Sequence, residues 1–355
     1  MERQDRDLAW MLQYENIAWY EDGTVKILDR RIYPIETKFV LCKTHGEVAK
    51  AITDMVTQSA GPYVAAAMGM ALAGYECRGQ SEQSQIAHLQ EAADTISSAR
   101  PTTQKRMVNI VSGCVDAAKQ ALAGGEKDVS IAIRDYAIEI NDRRYYRIGE
   151  VAKYLVQKFP THGAIMTQCF AETIVGQMLK EARKNGKDIK IFCPETRPYF
   201  QGARLTAKCI EDMGFDVTVI SDGMVASAIK NRKVDVFTTA ADAICCDGSV
   251  INKVGTFNTA IVADYFGVSY YVTGTPDPGH PTADTVEIEM RDGERILYAM
   301  NERITAEGIN GYYPAFDVTP PELVTGVVTD LGIYRPYDLN RYFTDQGANK
   351  GGMSI

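Results

Sequence analysis

The sequence is short of the features that mark several functional classes. Its four histidines, at 45, 88, 162 and 280, are dispersed and form no HxxxH pair. Its eight cysteines, at 42, 77, 114, 169, 193, 209, 245 and 246, show no CxxC spacing. Neither a zinc site nor a disulfide framework is indicated, so most of the thiols read as small reduced core residues and no metal is expected. Positive charge is also in deficit: 38 Lys and Arg stand against 46 Asp and Glu, for a net charge of −8. A phosphate backbone needs clustered cations in excess, so a nucleic-acid partner is not expected. No run reaches the roughly 18 to 20 apolar residues of a membrane span. The acidic opening MERQDRDLAWMLQYEN has no basic segment before an apolar core, and a cytoplasmic chain with no membrane partner is the expectation.

What is present is an ordinary globular balance, 45% hydrophobic and 24% charged over 355 residues, enough for two domains with real cores. Residues 17–40 place Asp22-Gly23 between β-branched runs, a hairpin signal. From about 46 to 157 the pattern becomes helical, in EVAKAITDMVTQ, YVAAAMGMALAGYE, QIAHLQEAADTISSA and KRMVNIVSGCVDAAKQALAGG, divided by Gly, Pro and Ser. After about 160, short apolar runs at 163–167, 188–193, 216–220, 234–239 and 268–273 alternate with helical stretches near 170–184, 200–213, 223–232 and 256–266. That alternation predicts an α/β fold: a hairpin and helical domain over 1–157, then a Rossmann-like, doubly wound parallel sheet over 158–355. The tail GANKGGMSI reads as flexible.

Ligands of such sheets bind beyond the carboxyl ends of the strands. The residues expected there are Cys169 after the first strand, Glu195, Thr196, Arg197 and Gln201 after the second, Asp222 after the third, Asp242 with Asn252 and Lys253 after the fourth, and Thr273, Gly274 and Thr275 after the fifth. Cys169 falls near a predicted helix start, where free N–H groups and the helix dipole would favour a thiolate and lower the thiol pKa. Packing is its local alternative. Asp242 suits a turn or cap as well as chemistry. Arg197, Gln201 and Arg204 in PETRPYFQGARLTA, and the GTF that follows Lys253, surround helix starts suited to a phosphate. Neither GxxxxGK[ST] nor GxGxxG occurs there, so a small phosphorylated ligand fits better than a dinucleotide.

The segments WYEDGTVKILDRRIYP, ETRPYFQGARLTA, INKVGTF and PAFDVTPPELVTGVVTDLG together resemble the methylthioribose-1-phosphate isomerase family, which is related to ribose-1,5-bisphosphate isomerases and to regulatory subunits of a translation-initiation exchange factor. The resemblance implies an aldose-ketose isomerase of methionine salvage, active on a small sugar phosphate without organic cofactor, and a homodimer formed through the carboxyl-terminal half. It carries Cys169 and Asp242 over as the catalytic pair, and Arg100, Gln201, Asn252 and Lys253 as sugar-phosphate contacts. With phosphate on the anomeric oxygen, the ring opens only if its own oxygen is protonated. Asp242 is the acid the resemblance implies, with a pKa that the apolar run FTTAADAICC is expected to raise. Cys169 would serve the transfer between C2 and C1, either of a proton through an enediolate or of a hydride.

The chain departs from the family pattern at Gln58, where an arginine is usual, and at Phe170, Glu172 and Ala243. These departures leave 5-deoxyribose 1-phosphate and ribose 1,5-bisphosphate as alternative substrates, and a non-catalytic sugar-phosphate or nucleotide sensor as an alternative function. Tyr63, Met68 and Phe170 are candidate apolar walls. Asp317 and Thr319 read as parts of a structural loop.

Overall fold

A computed structural model describes residues 2–100, 104–300 and 302–348. The expected tail therefore lies, beyond 348, outside the described residues. The chain divides into two compact units, Met1–Tyr146 and Arg147–Ile355. The division falls inside a long helix that ends at Val156.

The first unit opens with an antiparallel sheet of β1 (Ala18–Glu21), β2 (Thr24–Leu28) and β3 (Phe39–Cys42). Asp22 and Gly23 both take positive φ, 46° and 75°, the backbone that a two-residue hairpin turn requires. Five helices follow: α1 (His45–Thr53), α2 (Gly61–Glu76), α3 (Glu82–Ser97), α4 (Gln104–Ala123) and α5 (Ser130–Val156), which ends in the second unit. Thr44 caps α1: its hydroxyl accepts from Glu47 N–H, and the Glu47 carboxylate reaches back to accept from Lys43 N–H. Helix α2 is buried almost all round, because α1, α3, α4 and the β1–β2 hairpin pack against it. Its small residues allow that approach; a Cβ on Gly69 would lie 2.9 Å from Val48 Cγ1.

The second unit is the α/β half. Its strands are β4 (His162–Thr167), β5 (Asp188–Pro194), β6 (Asp216–Ile220), β7 (Val234–Ala240), the short β8 (Ala243–Ile244), β9 (Val250–Lys253), β10 (Ser269–Thr273), the hairpin pair β11 (Tyr298–Ala299) and β12 (Glu302–Arg303), β13 (Phe316–Thr319), β14 (Gly326–Val328) and β15 (Ile333–Tyr334). Helices α6 (Thr173–Lys184), α7 (Ala207–Asp212), α8 (Val225–Arg232), α9 (Thr256–Tyr265) and α10 (Asn340–Ala348) intervene or follow. The main sheet has the order β15-β14-β10-β7-β4-β5-β6 and is parallel except at β15. All five strands expected from the sequence are present and adjacent, as the run β10-β7-β4-β5-β6 that ends at one edge of the sheet. Its apolar layer holds Met166, Phe192, Phe237, Tyr270 and Val272, with the Phe237 and Tyr270 rings stacked at 4.5 Å.

The sequence pattern does not predict β14, β15, the β11–β12 pair or α10, and it differs from the structure in two further places. The helix expected over 200–213 begins with a wide π turn, Gly202–Thr206, before α7. Gly202 presses on the preceding strand so closely that a Cβ there would fall 1.9 Å from the Pro194 carbonyl oxygen. The second is a small antiparallel sheet, β13-β9-β8, that carries the chain across the end of β7. Its strands are two to four residues long, too short for alternation to reveal them.

Candidate active site

From β4 the chain runs outward through β5 to β6, then crosses back to place β7 on the other side of β4. That reversal opens a crevice between the carboxyl ends of β4 and β7, the place where such sheets hold ligands. Cys169 stands two residues beyond β4 and Asp242 two beyond β7, one on each side of it.

The loop carrying Cys169 is tied to the loop after β5. Cys169 N–H donates to Thr196 Oγ1 at 3.1 Å, and the Thr206 hydroxyl donates to the Cys169 carbonyl. Thr196 and Arg197 in turn donate their N–H groups to the two oxygens of Asp222, each at 2.8 Å. Both loops hold non-glycine residues at positive φ: Cys169 (61°) and Glu172 (52°) in one, Thr196 (62°) and Phe200 (56°) in the other. Backbone strain of this kind is retained where the surroundings impose it, often at functional sites.

Cys169 is half-buried, and burial pushes its thiol up to about 11. Lys253 opposes that rise, while Asp242 and Asp222 add to it. This corrects the expected thiolate. Helix α6 starts only at Thr173, and the dipole of a helix four residues away does not overcome desolvation.

Asp242 donates its N–H to the Ile251 carbonyl at 2.9 Å, and the residue is exposed. The desolvation expected from its apolar sequence neighbours is therefore not found, because Phe237, Ile244 and Cys245 turn into the core and away from it.

Strand β9 delivers Asn252 and Lys253, both buried, against Asp317 and Phe316 of β13. Asn252 Nδ2 donates to Thr256 Oγ1 at 3.1 Å. Lys253 Nζ donates to the Ala315 carbonyl at 2.7 Å and lies 4.6 Å from the Phe316 ring centre. Burial lowers its pKa, opposed by the negative pull of Cys169 and Asp242. These mutual effects place Lys253, Cys169 and Asp242 in one electrostatic neighbourhood.

Gln201 is buried at the start of the π turn with its Oε1 unpartnered. Arg197 and Arg204 are not open phosphate ligands: Arg197 donates to the Ile296 and Tyr298 carbonyls, and Arg204 to Tyr199 O. The helix start at GTF is likewise engaged, since Asp317 Oδ2 accepts from Gly255 N–H at 2.6 Å and Phe257 N–H at 3.2 Å. Arg100, half-buried beyond α3, belongs to the first unit with Tyr63 and the fully buried Met68; Phe170 is buried beside Cys169. Met68 is therefore core.

Residues 57–336 match the initiation factor 2 subunit family.

The chain belongs to that family. Among its relatives, the methylthioribose-1-phosphate isomerase of Caldanaerobacter subterraneus is 32% identical over 89% of this chain and 95% of its own length. That of Acetivibrio thermocellus is 34% identical over 90% and 97%. Of solved structures, 5-methylthioribose 1-phosphate isomerase from Pyrococcus horikoshii superimposes with a TM-score of 0.81 at 25% identity, covering 94% of this chain and 96% of that one. Translation initiation factor eIF-2B, subunit delta, from A. fulgidus gives 0.79 at 29%, covering 92% and 98%.

In this initiation factor 2 subunit family member the crevice also gathers residues that sequence reasoning passed over. Gln168 is buried with Oε1 unpartnered, its Nε2 held by the Val254 carbonyl at 3.1 Å; its position next to Cys169 was the available signal. Asp317, read as a loop residue, does hold a loop, but its Oδ1 is buried without a partner and burial pushes its pKa up to about 6. Arg291, paired with both oxygens of Glu289 at 2.8 and 3.2 Å, is close enough to Lys253 to depress its pKa. It comes from an irregular stretch with no periodicity to flag it.

Proposed function

We propose that the chain is an aldose-ketose isomerase converting S-methyl-5-thioribose 1-phosphate to S-methyl-5-thioribulose 1-phosphate, a step of methionine salvage. The observation that carries this reading is the meeting of Cys169, Asp242 and Lys253 at the β4/β7 crevice, each acting on another's charge. The curated relatives named for that reaction, similar over nearly their whole length, support it.

Asp242 gives a proton to the ring oxygen as the C1–O bond breaks, leaving an electron-poor C1. The exposed carboxyl can hold that proton near neutral pH only when the bound sugar covers it and excludes water. Hydrogen then moves from C2 to C1. Burial holds this thiol above its ordinary range, which disfavours it as the base of an enediolate route. In this reading the hydrogen crosses as hydride, and the 2-hydroxyl returns its proton to Asp242. The proton count closes with both groups restored. Cys169 remains a thiol against the reacting carbons, its polarisable sulfur facing the electron-poor C1 and shutting out water. Lys253, with Arg291 near it, supplies positive charge for the phosphate, and Gln201 and Asn252 supply amides for the hydroxyls. Arg100 is the further phosphate contact in this reading.

The same proposal includes a cytoplasmic homodimer. Helix α9 and the Phe266 that caps it present Ile261, Tyr265 and Phe266 to solvent, an apolar face of the kind a second copy covers. Light scattering should return twice the 39.2 kDa chain mass.

The test is turnover of methylthioribose 1-phosphate, 5-deoxyribose 1-phosphate and ribose 1,5-bisphosphate in D₂O, read by NMR. Conversion of the first with no solvent deuterium at C1 is the expected result. Conversion with deuterium at C1 would replace hydride by proton transfer. Preference for another sugar would move the substrate, and binding without turnover of any would favour the sensor reading.

A further inference from the structure

The first unit holds a group of side chains that the reaction does not use. His45 opens α1, Glu76 closes α2, and His88 lies in the first half of α3. The fold brings them together although 31 residues separate the first two and 12 the last two. His45 Nδ1 lies 2.6 Å from Glu76 Oε2, and His88 Nε2 lies 2.9 Å from that same oxygen. One carboxylate oxygen is thus the focus of two imidazole nitrogens, whose rings stand at 85° to one another. The other oxygen accepts from His45 N–H at 2.6 Å, which fixes the carboxylate's orientation. Among the described residues this is the group of His, Cys, Asp and Glu whose ligand atoms converge, all within 4.8 Å of one another.

We propose that His45, Glu76 and His88 form a binding site for a divalent transition-metal ion of the zinc class.

Two imidazoles and a carboxylate form a donor set suited to such ions. Tetrahedral coordination at about 2.0 to 2.2 Å puts neighbouring ligand atoms roughly 3.3 Å apart, so each nitrogen has to retreat from Oε2 by about half an ångström. The side chains leave 16%, 17% and 27% of their surfaces exposed, so a fourth position is open to water. On binding, the ion replaces the protons these nitrogens share with Oε2. Each ring then carries its single proton on the nitrogen away from the ion: a neutral ring protonated on the facing nitrogen changes tautomer, and an imidazolium releases its second proton to solvent. Because the ligands come from three helices packed on one another, the ion would cross-link α1, α2 and α3.

The test uses the full chain, stripped with a chelator, dialysed, and titrated with Zn²⁺ alone against a chromophoric competitor. The expected result is one equivalent per chain, at least tenfold weaker binding in His88→Ala and in Glu76→Gln, and a Zn²⁺-dependent rise in the unfolding midpoint that both variants lose. His88→Gln, which keeps a polar side chain on this half-buried face, guards against misfolding and should bind as weakly as His88→Ala. Zinc-edge absorption should show a nitrogen and oxygen shell without sulfur. Unaltered zinc affinity in these variants, a sulfur shell from the cysteines, or no stoichiometric uptake by the wild type would overturn the site and leave a hydrogen-bonded tie among three helices.

Discussion

Cys193 lies in β5 and Cys169 just beyond the end of the neighbouring β4, yet the two thiols have different surroundings. Cys193 is wholly buried within β5, and burial alone pushes its thiol up. Cys169 lies beyond the end of β4, half-buried at positive φ, with Lys253, Asp242 and Asp222 all acting on its charge. Desolvation works on both thiols. What separates them is the company that the sheet's reversal supplies at its carboxyl edge: charged groups from β9 and from the end of β7, arriving beside a loop held in a strained turn. Burial makes a thiol inert; burial with directed charges gives it a role.

Changes at the edge should therefore affect activity, and changes inside the sheet should affect stability. The largest effect expected away from the thiols is that of Asp242→Asn, which should lower kcat by roughly 10² to 10⁴ while leaving the circular dichroism spectrum and unfolding midpoint unchanged. Lys253→Met should raise KM by about 10- to 100-fold, the scale of one charge-assisted hydrogen bond to phosphate, with a smaller effect on kcat. Iodoacetamide should separate the two thiols directly. Mass spectrometry should find Cys169 modified slowly at pH 7 and faster as pH rises towards 11, protected by substrate, with Cys193 unmodified throughout. Equal labelling of both would erase the comparison.

The smallest expected effect concerns Asp317, whose carboxyl moves from an ordinary 3.8 up to about 6. The folded chain then holds this proton more tightly than the unfolded chain. Its contribution to stability is fully present below about 3.8, falls as pH rises to about 6, and is level above that. Asp317→Asn should remove this decline and shift stability at pH 7 by on the order of 1 kcal/mol relative to wild type, since an amide can still accept from Gly255 N–H. Denaturant melts at pH 4, 5, 6 and 7 measure it.

The parallel strands were legible because each is a short apolar run bounded by polar residues and followed by a helical repeat, as in DIKIFC before the ETRP turn. The hairpin was legible because Asp-Gly meets a specific backbone demand. From those strands the topological rule was enough to name Cys169, Gln201, Asp242, Asn252 and Lys253 as residues of one sheet edge. Electrostatics was less legible. Whether a carboxylate between two alanines faces water depends on the short β8–β9 hairpin, whose three-dimensional path has no one-dimensional signature, and so Asp242 was expected to be desolvated and is exposed. The thiol's pKa is not legible because a four-residue offset from a helix start, small in sequence, is large against the reach of a helix dipole. Arg291 and the meeting of His45 with His88 were hidden for a related reason: an irregular segment and a three-helix junction bring together residues that no spacing rule connects.

The most direct test of the central claim compares Cys169→Ala with Cys193→Ala on methylthioribose 1-phosphate, with kcat and the unfolding midpoint measured on the same preparations. The account predicts a kcat loss of about 10² to 10³ for Cys169→Ala, the scale of one positioned group at a reacting centre, with its fold retained. It predicts nearly wild-type kcat and a lower midpoint for Cys193→Ala. Full turnover by Cys169→Ala, or the two effects exchanged between the variants, would contradict it.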